Sequence, residues 1–353
     1  LTTGTEFRNS FEISTVSIDG SNLVNLTNNS VRDDFGAWSP NGANIAFYSE
    51  RDTSTGEIYT MNADGSVVVR LTFNSATDLV SDWFRPSLLR TLFDYDGDGR
   101  ADVSVFRPSN GSWYLNRSAD GFAATAFGVA SDKIVPADYD GDGKTDLAVF
   151  RDGNWYYLKS SDGAFAAVSF GQAGDLPVSG DFDGDGRSDQ AVFRNGIWYL
   201  NRSTLGFAFV QFGVATDKPV AADYDGDGRA DIAVYRDGNW YSLRSSDGQF
   251  AAISFGVGTD LAVPADYDGD GRADQAVYRS GVWYLNRSTL GFAGIAFGVA
   301  TDIPAAADYD GDGRADTAVY RDGNWYILQS TAGFTAQFFG QSGDKPTPSA
   351  FIY

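Results

Sequence analysis

A nine-residue acidic segment recurs six times in this chain, and its spacing constrains the fold more than any other feature. The copies begin at Asp94, Asp138, Asp181, Asp223, Asp266 and Asp308, so the starts lie 44, 43, 42, 43 and 42 residues apart. One copy reads Asp223-Tyr224-Asp225-Gly226-Asp227-Gly228-Arg229-Ala230-Asp231. Trp113, Trp155, Trp198, Trp240, Trp283 and Trp325 keep the same beat, as do Arg107, Arg151, Arg194, Arg236, Arg279 and Arg321. A period of about 40–45 residues is that of one four-stranded propeller blade.

Within one unit the residues predict four strands. Lys218 to Asp223 leads into the acidic loop, Asp231 to Arg236 follows it, and Asp237-Gly238 is a hairpin signal before Asn239 to Arg244. Phe250 to Phe255 supplies the fourth. Apolar residues occupy both faces of these strands, as blades packed between neighbours require. The repeated tryptophans read as core between blades. A longer alternation of 85 residues overlies the period: the units from Asp181 and Asp266 share a WYLNRSTLGF segment, and those from Asp138, Asp223 and Asp308 share RDGNWY. Duplication of blade pairs favours an even count. The Asn-Arg-Ser triplets at Asn116, Asn201 and Asn286 match the N-glycosylation pattern and read as turn chemistry.

Residues 1 to about 90 lack the acidic loop and repeat at an offset of 45. Glu57 to Ser66 followed by Arg70-Leu71-Thr72 echoes Glu12 to Ser21 followed by Asn25-Leu26-Thr27. Phe35 to Pro40 and Ile45 to Tyr48 supply two more strands of a full blade, while the copy at 1–27 lacks its first strand. The tail Asp344 to Tyr353 resembles the first strand of a unit and then stops. The expectation is therefore all-β: a single β-propeller of eight blades, with seven as the alternative, in which the tail closes the ring with the N-terminal blade. Residues 1–87 form the plain blades and a seam around Trp83-Phe84-Arg85-Pro86, 88–343 the six acidic-loop blades, and 344–353 the closing strand, all in one domain.

The loop pattern points to metal. Carboxylates at positions 1, 3 and 5 of a tight loop can face one ion, glycine at position 6 permits the turn, and position 9 closes the site. Position 7 would offer its backbone carbonyl and turn its cationic side chain outward. The candidate ligands are Asp94, Asp96, Asp98, Arg100 and Asp102 in the first loop, and Asp138, Asp140, Asp142, Lys144 and Asp146 in the second. Asp181, Asp183, Asp185, Arg187 and Asp189 follow, then Asp223, Asp225, Asp227, Arg229 and Asp231. The last two sets are Asp266, Asp268, Asp270, Arg272, Asp274 and Asp308, Asp310, Asp312, Arg314, Asp316. Crowded oxygen ligands in a flexible loop favour Ca²⁺ over Mg²⁺. Position 12 of the loop at Asp223 is Val234, where an EF-hand needs Glu. Six divalent ions would bring the net charge from −21 to −9.

These marks together resemble the FG-GAP/VCBS-type repeats of integrin α-subunit-like propellers. The marks are Phe127-Gly128, Phe170-Gly171, Phe212-Gly213, Phe255-Gly256, Phe297-Gly298 and Phe339-Gly340, each ahead of an acidic loop or the tail, and an apolar strand such as Leu147-Ala148-Val149. The resemblance covers residues 94–353. It implies one Ca²⁺ per loop, about six per chain, in a structural role, and an extracellular or cell-surface protein of adhesion or binding. Residues 1 to about 85 resemble TolB-type propeller repeats, in Met61 to Ser66 with Arg70-Leu71-Thr72, and in Trp38 to Gly42 with Ile45 to Ser49.

Composition narrows the function. Histidine and cysteine are both absent, which removes His general bases, Ser-His-Asp triads, thiolate sites and disulfides. The charge of −21 disfavours nucleic acid. No apolar run of 18 residues suggests membrane insertion. The chain begins at Leu1 without a signal-like segment, as a trimmed secreted product would. The expected function is a calcium-stabilised binding or adhesion scaffold without enzymatic activity, taking a protein or glycan on a propeller face. A lectin or a propeller-type polysaccharide lyase is the alternative, and self-assembly is compatible with either.

Overall fold

The structure, a computed structural model, describes residues 2–4, 11–16, 21–38, 44–53, 55–74, 76–79 and 91–353. Trp83 to Pro86, Ile18 to Gly20 and Ser39 to Gly42 lie outside the described residues. Among those described, eight antiparallel sheets form, the number expected. None of the described helices is long and apolar enough to cross a membrane. Contacts divide the chain into two compact units, Leu1–Leu88 and Leu89–Tyr353.

The first unit holds two sheets. One pairs Thr2–Gly4, Phe11–Thr15 and Val24–Asn25, and the other pairs Asp33–Trp38, Asn44–Ser49, Glu57–Asn62 and Val69–Arg70. The 45-residue offset is structural. The Thr27 hydroxyl donates to Glu12 at 2.5 Å and accepts the Ile13 amide at 2.9 Å. Thr72, Glu57 and Ile58 repeat this at 2.6 and 3.0 Å. Ile13, Ile45, Phe47, Tyr59 and Met61 form the core between the two sheets.

The second unit holds six four-stranded blades, numbered here by their acidic loops from Asp94 (blade 1) to Asp308 (blade 6). In blade 4 the strands are Lys218–Pro219, Ile232–Arg236, Asn239–Leu243 and Phe250–Ser254, paired in chain order. Asp237 and Gly238 take φ of 49° and 83°, the type I′ turn that the dipeptide predicts. The inner strand is shorter than Lys218 to Asp223. Pro219 donates no amide, and the pairing resumes as Val220 N–H to Ala233 O and as a bridge between Ala222 and Asp231.

The six blades close on themselves. The amide at loop position 8 donates to the carbonyl at position 1 of the preceding loop: Thr145 to Asp94, Ser188 to Asp138, Ala230 to Asp181, Ala273 to Asp223 and Ala315 to Asp266. Ala101 to Asp308, at 2.7 Å, completes the cycle. The tail does not close onto the N-terminal sheet, which corrects the expectation. Lys345–Pro346 pairs instead with Val103–Arg107 and supplies the first strand of blade 1.

The reason is an ion pair. Arg151, Arg194, Arg236, Arg279 and Arg321 each grip an aspartate 19 residues earlier (Asp132, Asp175, Asp217, Asp260 and Asp302) through two bonds of 2.5–2.8 Å. Position 88, 19 residues before Arg107, is Leu. Asp344 fills the gap, bonded to Arg107 at 2.8 and 2.9 Å. Each arginine also lies 4.2–5.2 Å over a tyrosine ring of the next strand.

Beyond the closing strand the chain crosses the middle of the ring. Thr347–Ser349 makes one 3₁₀ turn, and Thr347 shares a hydrogen bond with Ser104. Phe351 then packs on the core between blades 2 and 3, and Ile352 on that between blades 5 and 6, on the opposite side. The Tyr353 hydroxyl donates to Pro177 O.

The tryptophans are core, as expected. Trp113, Trp155, Trp198, Trp283 and Trp325 have no exposed surface and Trp240 only 4%. Trp198→Ala is expected to cost about 3–5 kcal/mol, read as an earlier denaturation midpoint. Trp198→Phe should cost less, losing mainly the indole bond to Phe212 O at 3.1 Å.

Candidate metal centre

In blades 2 to 6 the acidic loop joins the first two strands, in blade 1 it leads into the second, and in each its backbone is built around its own carboxylates. In the first loop Asp94 accepts the amides of Gly97 at 2.6 Å and Gly99 at 2.9 Å. Asp102, fully buried, accepts Tyr95 N–H at 2.8 Å and Ser118 N–H at 2.7 Å. These bonds fold the chain so that positions 1, 3 and 9 converge. Carboxylate oxygens of Asp94, Asp96 and Asp102 lie within 4.8 Å of one another. So do those of Asp138, Asp140 and Asp146, of Asp181, Asp183 and Asp189, of Asp223, Asp225 and Asp231, and of Asp266, Asp268 and Asp274; a sixth group exists among the described residues.

Position 5 is not in these five named groups. Asp98 accepts the Arg100 amide at 2.9 Å and the Ser118 hydroxyl at 2.6 Å. Asp142, Asp185, Asp227, Asp270 and Asp312 likewise bind the position-7 amide and a hairpin hydroxyl. The position-7 side chain reaches over the preceding loop. Lys144 lies against Gly97, Arg187 against Gly141, Arg229 against Gly184, Arg272 against Gly226, Arg314 against Gly269 and Arg100 against Gly311. Gly97 has φ of 83°, and a Cβ there would meet Lys144 at 2.9 Å. Glycine at position 4 therefore serves both the turn and the contact between loops.

The cluster holds more negative charge than its own hydrogen bonds offset. Burial pushes Asp102, Asp146, Asp189 and Asp274 up to about 6, and Asp316 up to about 7. Burial also raises Asp94, Asp181, Asp266 and Asp308, and takes Asp223 to about 6. At Asp96 burial is outweighed by the Asp120 and Ala119 amides, and the carboxyl stays below its ordinary value. One oxygen of each position-3 aspartate in four loops (Oδ1 of Asp96, Asp183, Asp268 and Asp310) is buried with no hydrogen-bond partner. A buried, unpartnered carboxylate oxygen is costly unless a cation meets it. The donor set of hard oxygens fits a calcium ion.

A pH dependence follows. These folded-state pKa values are raised, so without metal the protonated carboxyls contribute stability below about pH 4 that is lost as pH rises through about 6. The metal-free chain is expected to melt at a lower temperature at pH 7.5 than at pH 5. With calcium bound the slope should flatten, and proton competition should weaken binding below about pH 6.

The profile of the FG-GAP-like repeat family matches residues 94–149, 138–192, 181–234 and 223–277, together more than half of the chain. The chain belongs to the FG-GAP-like repeat family. No curated protein matches its sequence. Among solved structures, an Agrocybe aegerita lectin, described as recognising non-reducing terminal N-acetylglucosamine, is 22% identical, covering 68% of this chain and 77% of that chain at a TM-score of 0.47. BBS1N in complex with ARL6DN is 12% identical, covering 70% and 80% at 0.45. A streptogramin B lyase is 8% identical, covering 87% and 93% at 0.44.

The Phe-Gly pair that marks FG-GAP-like repeats has three tasks here. Its Phe carbonyl accepts the blade tryptophan's indole N–H at 2.7–3.1 Å. Its Phe ring meets, edge to face at 6.1–6.4 Å, the exposed Phe that opens the next blade's outer strand. Its Gly takes φ of 115–129°, bringing the following amide onto the aspartate of the ion pair, as Val129 N–H reaches Asp132 at 2.8 Å. That aspartate was absent from the expected site residues. Its signal was present in blades 2 to 6: an Asp before the first strand, 19 residues ahead of the periodic Arg.

Proposed function

We propose that this chain is a calcium-stabilised propeller of an exported or cell-surface protein, acting as a binding or adhesion scaffold. The observation that carries the reading is the buried Oδ1 of Asp268, without a partner in a cluster with Asp266 and Asp274. That atom needs a cation, and its counterparts recur around the ring. Calcium at about millimolar concentration, as outside cells, fills loops of modest affinity that cytosolic levels leave empty. The loops lie where they tie the strands of a blade and neighbouring blades together, so an ion there contributes to the ring by linkage. The ligand, a protein or a glycan, would sit on a ring face. The two N-terminal sheets are read as TolB-type blades and the six others as FG-GAP/VCBS-type.

Binding to a glycan array and to extracellular-matrix proteins, with 2 mM calcium and with excess chelator, tests this reading. Calcium-dependent binding without change to the ligand is expected. Depolymerisation of an acidic polysaccharide would overturn it in favour of a lyase.

A further inference from the structure

The six loops are not equivalent. In blades 1, 3, 5 and 6 the position-3 carboxylate is held by two backbone amides of the hairpin between the third and fourth strands. Ala119 and Asp120 donate to Asp96 Oδ2 at 2.9 and 2.8 Å. Thr204 and Leu205 do the same for Asp183, Thr289 and Leu290 for Asp268, and Thr331 and Ala332 for Asp310. Both amides take one oxygen. The other, Oδ1, is left buried and without a partner in all four. Asp268 is only 7% exposed, and its carboxylate belongs to the cluster with Asp266 and Asp274.

Blades 2 and 4 hold position 3 differently. The Ser161 hydroxyl donates to Asp140 Oδ2 at 2.5 Å, and the Ser246 hydroxyl to Asp225 Oδ2 at 2.6 Å. The Oδ1 atoms are engaged too, accepting the Asp142 amide at 3.3 Å and the Asp227 amide at 3.2 Å. The cause is one residue of chain length. From the blade tryptophan to the Phe carbonyl it bonds is 15 residues in blades 2 and 4 and 14 in the others. The extra residue, Ala164 or Gln249, widens the hairpin: Lys159 N–H bonds Ala164 O, and Arg244 N–H bonds Gln249 O. A shifted hairpin presents a hydroxyl, with the Ser246 amide still at 3.4 Å in blade 4, where the shorter one presents two closer amides.

We propose that the loops form two classes of divalent-cation site: four tight ones at Asp94, Asp181, Asp266 and Asp308, and two weaker ones at Asp138 and Asp223. The inference rests on the calcium reading above. An oxygen held buried with no other partner is already arranged for a cation, and the ion displaces nothing to reach it. At Asp140 and Asp225 that oxygen already gives one lone pair to an amide and keeps less of its charge free for the ion. Site rigidity and ligand readiness of this kind tune calcium affinity over orders of magnitude.

The test is calorimetric titration of the metal-stripped full chain with calcium. Two phases are expected, about four ions and then about two, separated on the order of tenfold or more in affinity. Deleting Ala164 and Gln249 together should merge them into one phase of about six. Should that chain fail to fold, the Asp140→Asn/Asp225→Asn chain decides: the four-ion phase stays and the weaker phase disappears. Six indistinguishable sites, or loss of tight sites in that double variant, would overturn the two-class assignment and leave the calcium scaffold standing. Absence of any calcium binding would overturn both.

Discussion

Removing metal from this chain is expected to lower its melting temperature by roughly 20 °C. A site occupied at ten times its dissociation constant contributes about 1.4 kcal/mol to the folded state. Six such sites would contribute about 8 kcal/mol, and each kcal/mol moves the midpoint of a unit this size by about 2–4 °C. The loss should be reversed by calcium and only partly by magnesium, which holds its water and its octahedral geometry more firmly. The effect belongs to the six-bladed unit, where the position-9 carboxylates are buried in every loop. A melting curve unchanged by chelator would remove the ions from the stability of the ring.

The second large effect is expected at the closure. Arg107→Ala leaves Asp344, whose side chain has no exposed surface, as an unpaired buried charge. Breaking a buried pair from that side costs about 3–5 kcal/mol. Asp344→Ala should cost less, because the Arg107 side chain is 20% exposed and can turn to water. The other five pairs join residues 19 positions apart, and this one joins residues 237 apart. Its loss therefore also frees Lys345–Pro346 from Val103–Arg107 and releases the tail that crosses the ring. Chemical denaturation of both variants and of Arg236→Ala measures the difference. The closure variant should broaden the transition, and the Arg236 variant should shift it. A cost for Arg107→Ala within about 0.5 kcal/mol of zero would contradict the closure assigned to this pair.

Much of this was legible in the residues. The period fixed the blade, Asp237-Gly238 fixed its central hairpin, and the paired segments at Glu12 and Glu57 identified the N-terminal sheets. The carboxylate spacing predicted positions 1, 3 and 5 around one ion with position 9 closing the site; in the five named groups positions 1, 3 and 9 converge, while position 5 binds the position-7 amide and a hairpin hydroxyl. What escaped was long-range. The tail looked like a first strand, which it is, but its partner is chosen by a charge and not by strand pattern. Position 88 is Leu, so Arg107 has no aspartate 19 residues before it. That gap was in the sequence, although it becomes readable only once the arginine's partner is known. The difference between blades 2 and 4 and the rest was equally present as one added residue. Its meaning depends on where hairpin amides point, which spacing does not reveal.

The most direct test of the account is to grow crystals in millimolar calcium and locate the ions by their anomalous scattering. Six peaks are predicted, one per acidic loop, each about 2.3–2.6 Å from carboxylate oxygens that include positions 1, 3 and 9. Loops without a peak at that concentration, with the position-3 oxygen still unpartnered, would contradict it.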